Sequence, residues 1–439
     1  MAANIGRETQ SAIYRGGAVG RKPIVPSGFD ALESAARAVL SAESFAYIAG
    51  SAGRESTADA NSKAFDSWQI VPRMLRDVSS RDLSISLFGH YYPSPVISAP
   101  IGVLELAHPD SDTGIARASA ALGIPYVASN QASVPLEEAF AATPGAPHWF
   151  QLYWSSSDEV VESLVSRAEN AGAEAIVITL DTHMLGWRPR DLDLAYLPFA
   201  HGLGIAQYTS DPVFRRLVAG RVAAGISTPR PRVNPTVIRT LLDMTRHYPG
   251  PFWSNLRSPE PRTAVDVFLE VFSRSSLTWQ NLDFVRQRTK LPILLKGIQH
   301  ADDAKLAIEH GADGVIVSNH GGRQLDRAIG SLDALPGVVA AVEGRIPVLF
   351  DSGIRSGSDI LIALALGAHA VLVGRPWVYG LAIGGAAGAE AVLRNLVAEL
   401  DLNLGLSGHT SVADLSPDIL KPAILMPAIL NYGKYKPIE

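Results

Sequence analysis

One histidine, one aspartate and two arginines in the sequence have the side chains needed to take a proton from an anionic substrate. His320 lies in the segment SNHGGRQLD, and an imidazole titrates near neutral pH, which suits a general base. Asp181, in the segment TLDTHMLGWR, could orient that base and stabilise its protonated form. Arg323 and Arg188, from the same two segments, could each bind a carboxylate through paired N–H groups. The alternative is a buried structural histidine with solvated arginines.

Two segments rich in glycine and arginine indicate a phosphate site. DSGIRSG contains Gly353 and Arg355, and VGRP contains Gly374 and Arg375. Glycine lets the backbone approach an anion closely, and the N–H groups at the start of a following helix point towards it. The alternative is a pair of tight turns with solvated arginines.

A lysine stands in the apolar run LLKG, where a charged side chain needs an anionic partner. Lys296 could form a Schiff base, as lysines of barrel aldolases do, or a purely structural ion pair. Because a phosphate site is also predicted, we expect this lysine to stabilise negative charge on a bound flavin, near N1 of the ring.

Eight short apolar runs must position these residues. Each run ends in polar or glycine residues, which is typical of a strand buried on both faces of a parallel sheet. Helix-like segments separate the runs, so the pattern predicts an α/β fold, a closed (β/α)8 TIM barrel, with a doubly wound open sheet as the alternative. The runs are Val96–Ile101, Pro125–Ser129, His148–Tyr153, Ala175–Asp181, Pro292–Gly297, Gly314–His320, Pro347–Gly353 and Ala370–Pro376.

The same patterns divide the chain into a barrel and its flanks. We assign residues 1–93 to an N-terminal flanking segment, 94–407 to the barrel, and 408–439 to a tail apolar enough to pack against another subunit. A long insertion after strand 4, residues 192–280, is rich in proline, arginine and aromatic residues and predicts a lid with a helix at Thr236–Arg246. The other predicted helices are Asp112–Leu122, Asp158–Ala171, Ala301–His310, Gly357–Leu366 and Ala386–Leu400.

Active sites of such barrels lie at the carboxyl ends of the strands. Polar, charged or glycine residues stand at all eight predicted ends, and packing alone does not require that pattern. These residues are Gly102, Ser129, Gln151, Tyr153, Thr179, Asp181, Lys296, His320, Arg323, Asp351, Gly353, Arg355, Gly374 and Arg375.

The composition excludes several classes of function. The 439 residues carry a formal net charge of −5 and no cysteine. The charge argues against a nucleic-acid partner, and the lack of cysteine excludes thiolate catalysis, iron–sulfur clusters and Cys-ligated zinc. Since no histidine pair has metal-ligand spacing, we expect no metal. The N-terminus lacks the apolar core of a signal peptide, and the apolar run Ile360–Gly374 is too short to span a bilayer, so we expect a cytoplasmic protein with no membrane partner.

These motifs resemble those of the FMN-dependent 2-hydroxy-acid oxidase and dehydrogenase family, over roughly Phe29 to Ser411. SNHGGRQLD, DSGIRSG and LPILLKG carry the resemblance most specifically. Within the family, the segments YIAGSAGRES, APIGV, FQLYW, ITLDT, GWRPRDLDL, TSDPVF, LLKGIQH and LFDSGIR are most similar to the L-lactate 2-monooxygenase group. The resemblance implies FMN as cofactor, a small lactate-like L-2-hydroxy acid and dioxygen as substrates, and a homotetramer or homo-octamer.

The resemblance also implies a role for each site residue. His320 is the base, and Asp181 is its partner. Arg188 and Arg323 bind the substrate carboxylate. Tyr47 and Tyr153 hydrogen-bond to the substrate during catalysis. The residues that contact the ring, the ribityl chain or the phosphate of FMN are Pro100, Ile101, Gly102, Ser129, Gln151, Thr179, Lys296, Ser318, Asp351, Gly353, Arg355, Gly374 and Arg375.

The implied reaction is oxidation of the hydroxy acid to a 2-keto acid, followed by oxidative decarboxylation in the site, so that lactate becomes acetate, CO2 and water. Gly102 favours this outcome, because lactate-monooxygenase-like sequences carry glycine where many oxidases carry alanine. The alternatives are a plain oxidase that releases the keto acid and H2O2, an FMN-binding isomerase and a non-catalytic flavoprotein. The insertion, His183 and Asn130–Gln131 depart from the family pattern, which leaves open a larger or more polar acid than lactate.

Overall fold

The computed structural model describes residues 4–226 and 232–423, and each of the eight predicted apolar runs contains a β-strand. Residues 424–439, which hold most of the tail predicted to pack against another subunit, lie outside the described residues. The barrel strands, labelled β1 to β8 in chain order, are Val96–Ser98, Tyr126–Ala128, His148–Tyr153, Ala175–Thr179, Ile293–Ile298, Gly314–Val317, Val348–Phe350 and Ala370–Val373.

The eight strands form a closed, parallel barrel in which each strand pairs with the next along the chain. β8 returns to β1, with Val371 opposite Val96 and Val373 opposite Ser98, and this pairing closes the barrel. The predicted (β/α)8 fold is therefore confirmed, and the open-sheet alternative is wrong. Because the barrel is closed, the carboxyl ends of all eight strands meet at one mouth.

Some strands differ in length from the prediction. β1 ends at Ser98 rather than Ile101, because the residues beyond it leave the hydrogen-bond ladder to build the loops of the mouth. Lys296 does not end β5, as predicted, but lies within it. The strand continues to Ile298 after an irregular pairing at Gly297, whose φ of +109° suits a residue without a Cβ.

Two layers of side chains fill the barrel, because residues two apart on a strand point to the same face. The lower layer is an apolar cluster with at least one residue from every strand. The residue two positions later on each strand lies one layer nearer the mouth, and most of these residues are polar. From β1 to β8 the lower and upper members are Ile97 and Ala99, Val127 and Ser129, Trp149 and Gln151, Val177 and Thr179, Leu294 and Lys296, Ile316 and Ser318, Leu349 and Asp351, and Leu372 and Gly374.

A short hairpin closes the end of the barrel opposite the mouth. Its strands, Ile85–Leu87 and His90–Tyr92, pair antiparallel, and Leu87 and Tyr92 join the lower apolar layer. The hydroxyl of Tyr92 donates to Glu174 at 2.7 Å. Since the hairpin and the lower layer block one end, a ligand can enter only from the mouth.

Helices cover the outside of the barrel, and their buried faces pack against the outward side chains of the strands. The predicted helices are present with ends within one or two residues, except for the last. It runs from Arg375 to Leu406 rather than from Ala386 to Leu400, and it is broken at Gly384 and Gly385. By length and composition alone it is the one helix of the described residues that could cross a membrane, but 56% of its most apolar window is buried in the fold. The helices that follow the strands are Ser111–Leu122, Leu136–Ala141, Asp158–Asn170, Leu282–Arg286, Ala301–Glu309, Ser331–Val342, Gly357–Ala365 and Arg375–Leu406.

The N-terminal flank and the insertion are also helical where they are described. The predicted insertion helix is confirmed as Pro235–His247 and begins at Asn234, whose side chain accepts a hydrogen bond from the N–H of Val237. The flank also pairs its strand Trp68–Ile70 with Leu420–Pro422. The flank helices are Ile5–Ala18, Phe29–Val39, Ala42–Ala49 and Ser56–Asp66, and the other insertion helices are Pro189–Asp193, Pro198–His201, Ala206–Thr209, Pro212–Ala223, Phe252–Arg257 and Glu260–Val271.

Candidate active site

One cavity at the mouth of the barrel collects most of the predicted site residues. It lies above the upper layer of barrel side chains and is bordered by the flank helices and the insertion. The predicted residues that line it are Tyr47, Pro100, Ile101, Gly102, Tyr153, Arg188, Lys296, His320, Arg323, Asp351, Gly353, Arg355, Gly374 and Arg375. The other predicted residues are Ser129, Gln151, Thr179, Asp181 and Ser318, and they lie directly behind this lining.

The buried polar side chains of β2, β3 and β4 are joined by hydrogen bonds across the strands. The hydroxyl of Ser129 donates to Oε1 of Gln151 at 3.1 Å, and Nε2 of Gln151 donates to the hydroxyl of Thr179 at 3.0 Å. Each side chain is therefore held by its neighbour on the adjacent strand. Such a row offers fixed polar groups to a flat ligand that covers the barrel.

Lys296 lies in an ion pair at the centre of the upper layer. Its Nζ is 2.8 Å from Oδ2 of Asp351 and donates to the hydroxyl of Ser318 at 2.7 Å. Burial opposes the charge on this lysine, but the carboxylates of Asp351 and Asp181 outweigh it, so its pKa is raised. Lys296 is therefore a cation, which disfavours the Schiff-base alternative because that chemistry needs a neutral amine.

His320 forms a short hydrogen bond with Asp181. Nδ1 of the imidazole lies 2.7 Å from Oδ1 of the carboxylate and 3.3 Å from the hydroxyl of Thr182. With Asp181 ionised, Nδ1 carries the hydrogen and Nε2 is left as the acceptor. Burial lowers the pKa of His320, while the charge of Asp181 acts in the opposite direction. A neutral histidine with a free Nε2 is the state that a general base needs.

The backbone around His320 is held in an uncommon conformation. His320 has φ +59°, and Gly321 and Gly322 follow it with φ +64° and +78°. The hydroxyl of Ser352 accepts from the N–H of Gly321 at 2.9 Å, and the side chain of Asn319 accepts from the N–H of Gly322 at 3.1 Å. A non-glycine residue in the left-handed region is strained, so the neighbouring hydrogen bonds must hold the imidazole in place.

Tyr153 lies next to the imidazole. Its hydroxyl is 3.5 Å from Nε2 of His320. Burial and the charge of Asp181 raise the pKa of Tyr153 to about 12, so the phenol remains protonated at neutral pH. It is therefore available as a hydrogen-bond donor on the side of His320 that faces the cavity.

The two arginines predicted to bind the substrate carboxylate are close to Tyr47. The guanidinium carbons of Arg323 and Arg188 lie 5.2 Å and 5.8 Å from the centre of its ring. Arg323 donates to the carbonyl oxygens of Tyr47 at 2.7 Å and Gly50 at 2.8 Å through one nitrogen. Arg188 is 3.5 Å from Asp191. Burial lowers the pKa of Arg323 to about 9, and the charge of Arg188 adds to this shift. A bound carboxylate would compensate both cations.

The predicted phosphate residues lie together at one edge of the cavity. Arg375 donates to the carbonyl oxygens of Ile48, Gly321 and Gly50 and to the hydroxyl of Ser51, which fixes its guanidinium. The guanidinium of Arg355 stacks 4.5 Å over the ring of a phenylalanine in the flank. No carboxylate of the described residues lies within 4.0 Å of the charged groups of Arg323, Arg355 or Arg375.

Two glycines of the cavity lining allow neighbouring segments of the chain to pack closely around the cavity. A Cβ on Gly353, which has φ +107°, would lie 2.5 Å from the carbonyl oxygen of Asn61. A Cβ on Gly102 would lie 2.9 Å from the carbonyl oxygen of Gln131. The arginines at this edge, which have no carboxylate partner in the described chain, fit a cofactor with an anionic tail.

Several residues of this site were missed by the prediction. Asn61 exchanges two side-chain hydrogen bonds with Asn319, at 2.8 Å and 2.6 Å, and so ties the flank to the loop of His320. Ser51 and Phe199 come from the flank and the insertion. Asn319 stands beside His320 in the motif, so its position was a usable signal. The others lie in segments without a motif that points to the barrel.

The comparison with known families decides the class of this site. The family model described as FMN-dependent dehydrogenase matches residues 36–422. The chain belongs to the FMN-dependent 2-hydroxy-acid oxidase and dehydrogenase family. FMN is thus its cofactor, and its reaction is the oxidation of a 2-hydroxy acid. The predicted family is confirmed.

Individual members of this family are similar over nearly the whole chain. FMN-dependent alpha-hydroxy acid dehydrogenase qulF of Penicillium citrinum is 42% identical, covering 94% of this chain and 95% of its own. L-lactate oxidase of Lysinibacillus sphaericus (strain C3-41) is 42% identical over 89% of this chain and 91% of its own. A crystal structure of mandelate oxidase with (S)-4-hydroxymandelic acid has a TM-score of 0.74 at 36% identity, covering 91% of this chain and all of that one.

Proposed function

We propose that this family member oxidises an L-2-hydroxy acid to the 2-keto acid, with dioxygen as the electron acceptor. The observation that carries the proposal is a single cavity lined by His320 and Arg323, with Asp181 bonded behind the imidazole. His320 can take up a proton, and Arg323 has no carboxylate partner in the described chain. The two side chains together suit a substrate that carries a carboxylate and loses a proton. Relatives named L-lactate oxidase and 4-hydroxymandelate oxidase support the same reaction type.

FMN, when bound, supplies the acceptor for the two electrons that the substrate loses. In this proposal Lys296 stabilises negative charge on the ring, and the row of polar side chains from β2 to β4 hydrogen-bonds to its edge. The backbone at residues 100–102 lies against the ring, and Asp351 accepts from the ribityl hydroxyls. The residues that hold the phosphate are Gly353, Arg355, Gly374 and Arg375.

Substrate binding is assigned to the two arginines and two tyrosines of the cavity. Arg323 and Arg188 bind the carboxylate, whose charge would compensate two neighbouring cations. Tyr47 and Tyr153 donate hydrogen bonds to the carboxylate or hydroxyl. The carboxylate fixes the acid at one end, so its C2 atom is held next to His320.

His320 accepts the proton that the substrate loses. Nε2 is the acceptor, because Nδ1 donates to Asp181. Once the imidazole is protonated, the ionised Asp181 stabilises it, and Oδ2 of this carboxylate is buried with no hydrogen-bond partner among the described residues. The proton then stays on His320, paired with Asp181, until the site opens.

The pH dependence of kcat/KM follows from the pKa of His320. Burial lowers that pKa below its ordinary 6.5, so the neutral base persists to lower pH and activity should fall only below pH 6.5. Asp181→Asn removes the charge that raises the pKa, so the acid limb should move to still lower pH while kcat decreases. Steady-state rates of the unaltered protein and of Asp181→Asn from pH 4.5 to 9 measure the acid limb of each. An acid limb above pH 6.5, or one that moves upward in the variant, would contradict this assignment.

We further propose that the keto acid is decarboxylated before it is released. The support is the attachment of the insertion over the mouth, where Glu105 accepts from the N–H of Gly204 at 3.2 Å and pairs with His247 at 3.0 Å. Gly102 supports this outcome less than the sequence pattern implied. The close approach of Gln131 already requires a glycine there, whatever happens to the product.

Aerobic turnover of L-lactate is therefore expected to yield acetate and CO2 with little free H2O2. Glu105→Gln removes the charge paired with His247, so the mouth should open sooner and a larger share of pyruvate and H2O2 should escape. NMR of the products with a peroxidase assay measures this share, and Glu159→Gln, on an exposed helix position, is the control. Stoichiometric pyruvate and H2O2 from the unaltered protein would reject decarboxylation and leave the oxidation itself in place.

Anaerobic flavin reduction tests the proposed function directly. The FMN-loaded protein is mixed without oxygen with short, long and aromatic L-2-hydroxy acids and with their D-enantiomers. At least one L-acid should bleach the flavin absorbance, and admitting oxygen should restore it. If no L-acid of the panel reduces the flavin, or if oxygen does not restore its absorbance, the proposal is wrong.

A further inference from the structure

Gln131 is a residue of the cavity wall whose side-chain amide is not held by other described residues. The residue is only 8% exposed, and it lines the cavity at the mouth. Its backbone is fixed at both ends, since its N–H donates to the hydroxyl of Ser129 at 3.1 Å and its carbonyl accepts from Val103 at 2.9 Å. Its side-chain amide makes no hydrogen bond to any of the described residues.

Other amides of the site differ from Gln131 in this respect. Gln324, also in the cavity lining, donates to the carbonyl oxygens of Asp181 and Met184 and accepts from the N–H of Gly186. Gln151 is held by side chains on both neighbouring strands. Because Gln131 lines the cavity and its amide has no protein partner, its donor and acceptor are available to a ligand there.

The surroundings of Gln131 indicate which part of a substrate it meets. It packs where the insertion covers the barrel, because a Cβ on Gly204 would lie 3.1 Å from its carbonyl oxygen and 3.2 Å from the ring of Phe199. Phe199 in turn lies edge-to-face with Tyr47, at 6.5 Å between ring centres. This wall is therefore aromatic, with one amide in it. The arginines assigned to the carboxylate stand beyond Tyr47.

The charge on this wall selects against a second anionic group. Glu105 lies beside Gly204 and pairs with His247, so the cation at this part of the wall is already compensated. An amide both donates and accepts, which suits a neutral hydroxyl. The neighbouring rings of Phe199 and Tyr47 suit an apolar body that carries this hydroxyl.

We propose that Gln131 determines substrate specificity by binding a neutral hydroxyl on the C2 substituent of the acid. The preferred substrates are then L-2-hydroxy acids whose aromatic or aliphatic side chain carries a second hydroxyl, rather than unsubstituted hydrocarbon side chains. This inference rests on the proposed function, since it assigns the substrate of the same site. Gln131 contacts the substituent and takes no part in proton transfer.

Matched substrates test this assignment. The pairs are (S)-4-hydroxymandelate with (S)-mandelate and L-2,4-dihydroxybutyrate with L-2-hydroxybutyrate, which place the hydroxyl at two distances from C2. In the unaltered protein, kcat/KM for flavin reduction should be about tenfold higher for the hydroxylated member of one pair, a factor in the range expected of one neutral hydrogen bond. Gln131→Met keeps the size of the side chain but removes its hydrogen bonds, so the ratio should fall to about one.

Further outcomes separate this inference from the proposed function. Gln10→Met, on an exposed helix position, should leave the ratio unchanged. Should Gln131→Met fail to fold, the 2-keto products with and without the hydroxyl can be titrated into the unaltered protein, and their Kd values should differ by a similar factor. Equal preference within both pairs, or a ratio that survives Gln131→Met, would overturn the role of Gln131. If no hydroxy acid reduces the flavin, it is the proposed function that fails.

Discussion

His320→Gln is expected to lower the rate of flavin reduction by about 10³-fold, within the usual range for loss of a general base. Glutamine is similar in size and can still donate to Asp181, which lies 2.7 Å from the imidazole. It cannot take up a proton at neutral pH. The loss should therefore be confined to the chemical step, with FMN still bound and the flavin spectrum nearly unchanged.

Stopped-flow mixing with saturating substrate measures this loss. Asp181→Asn is the informative partner variant, because it keeps the imidazole but removes the charge that stabilises the imidazolium, so its rate should lie between those of His320→Gln and the unaltered protein. A His320→Gln protein reduced at the native rate would remove His320 from the role of base. Loss of FMN from the variant would instead point to a structural role for this loop.

Arg323→Met is expected to lower kcat/KM for the acid by about 10²- to 10³-fold, since it removes a buried charged partner of the substrate carboxylate. The guanidinium is buried, stands next to Arg188 and has no carboxylate within 4.0 Å among the described residues. The carboxylate of the substrate should thus be the main anionic partner of Arg323. Most of the loss should appear in KM, because the carboxylate is bound before and during the reaction.

A neutral substrate separates this effect from general damage. The 2-hydroxy amide of the same acid lacks the carboxylate, and we expect the unaltered protein to oxidise it much more slowly than the acid. Arg323→Met should lower the activity on this amide far less than the activity on the acid. Arg323 also donates to the carbonyl oxygens of Tyr47 and Gly50. The thermal midpoint and FMN affinity must therefore be measured alongside, and Arg323→Lys, which keeps a charge without the paired N–H groups, should lose less than Arg323→Met. Equal losses for acid and amide would show that Arg323 does not bind the carboxylate.

The barrel could be predicted because its physical requirements repeat along the chain. A strand enclosed by helices outside and side chains inside is apolar on both faces, which leaves a run that is visible in the sequence. The polar residues that end the runs, such as Gln151 and Lys296, were likewise predicted to lie at the mouth. The motif around His320 predicted the base because the motif is a short local segment.

The sequence by itself thus determined the eight strands, the polar residues at their carboxyl ends and the cofactor class. Only the tertiary structure decided which distant segments complete the cavity. Asn61 reaches Asn319, Arg375 is fixed by carbonyl oxygens of the flank, and Gln131 is left without a partner among the described residues. Strand formation depends on neighbours along the chain, whereas these contacts depend on how loops and helices far apart in the sequence pack over the mouth.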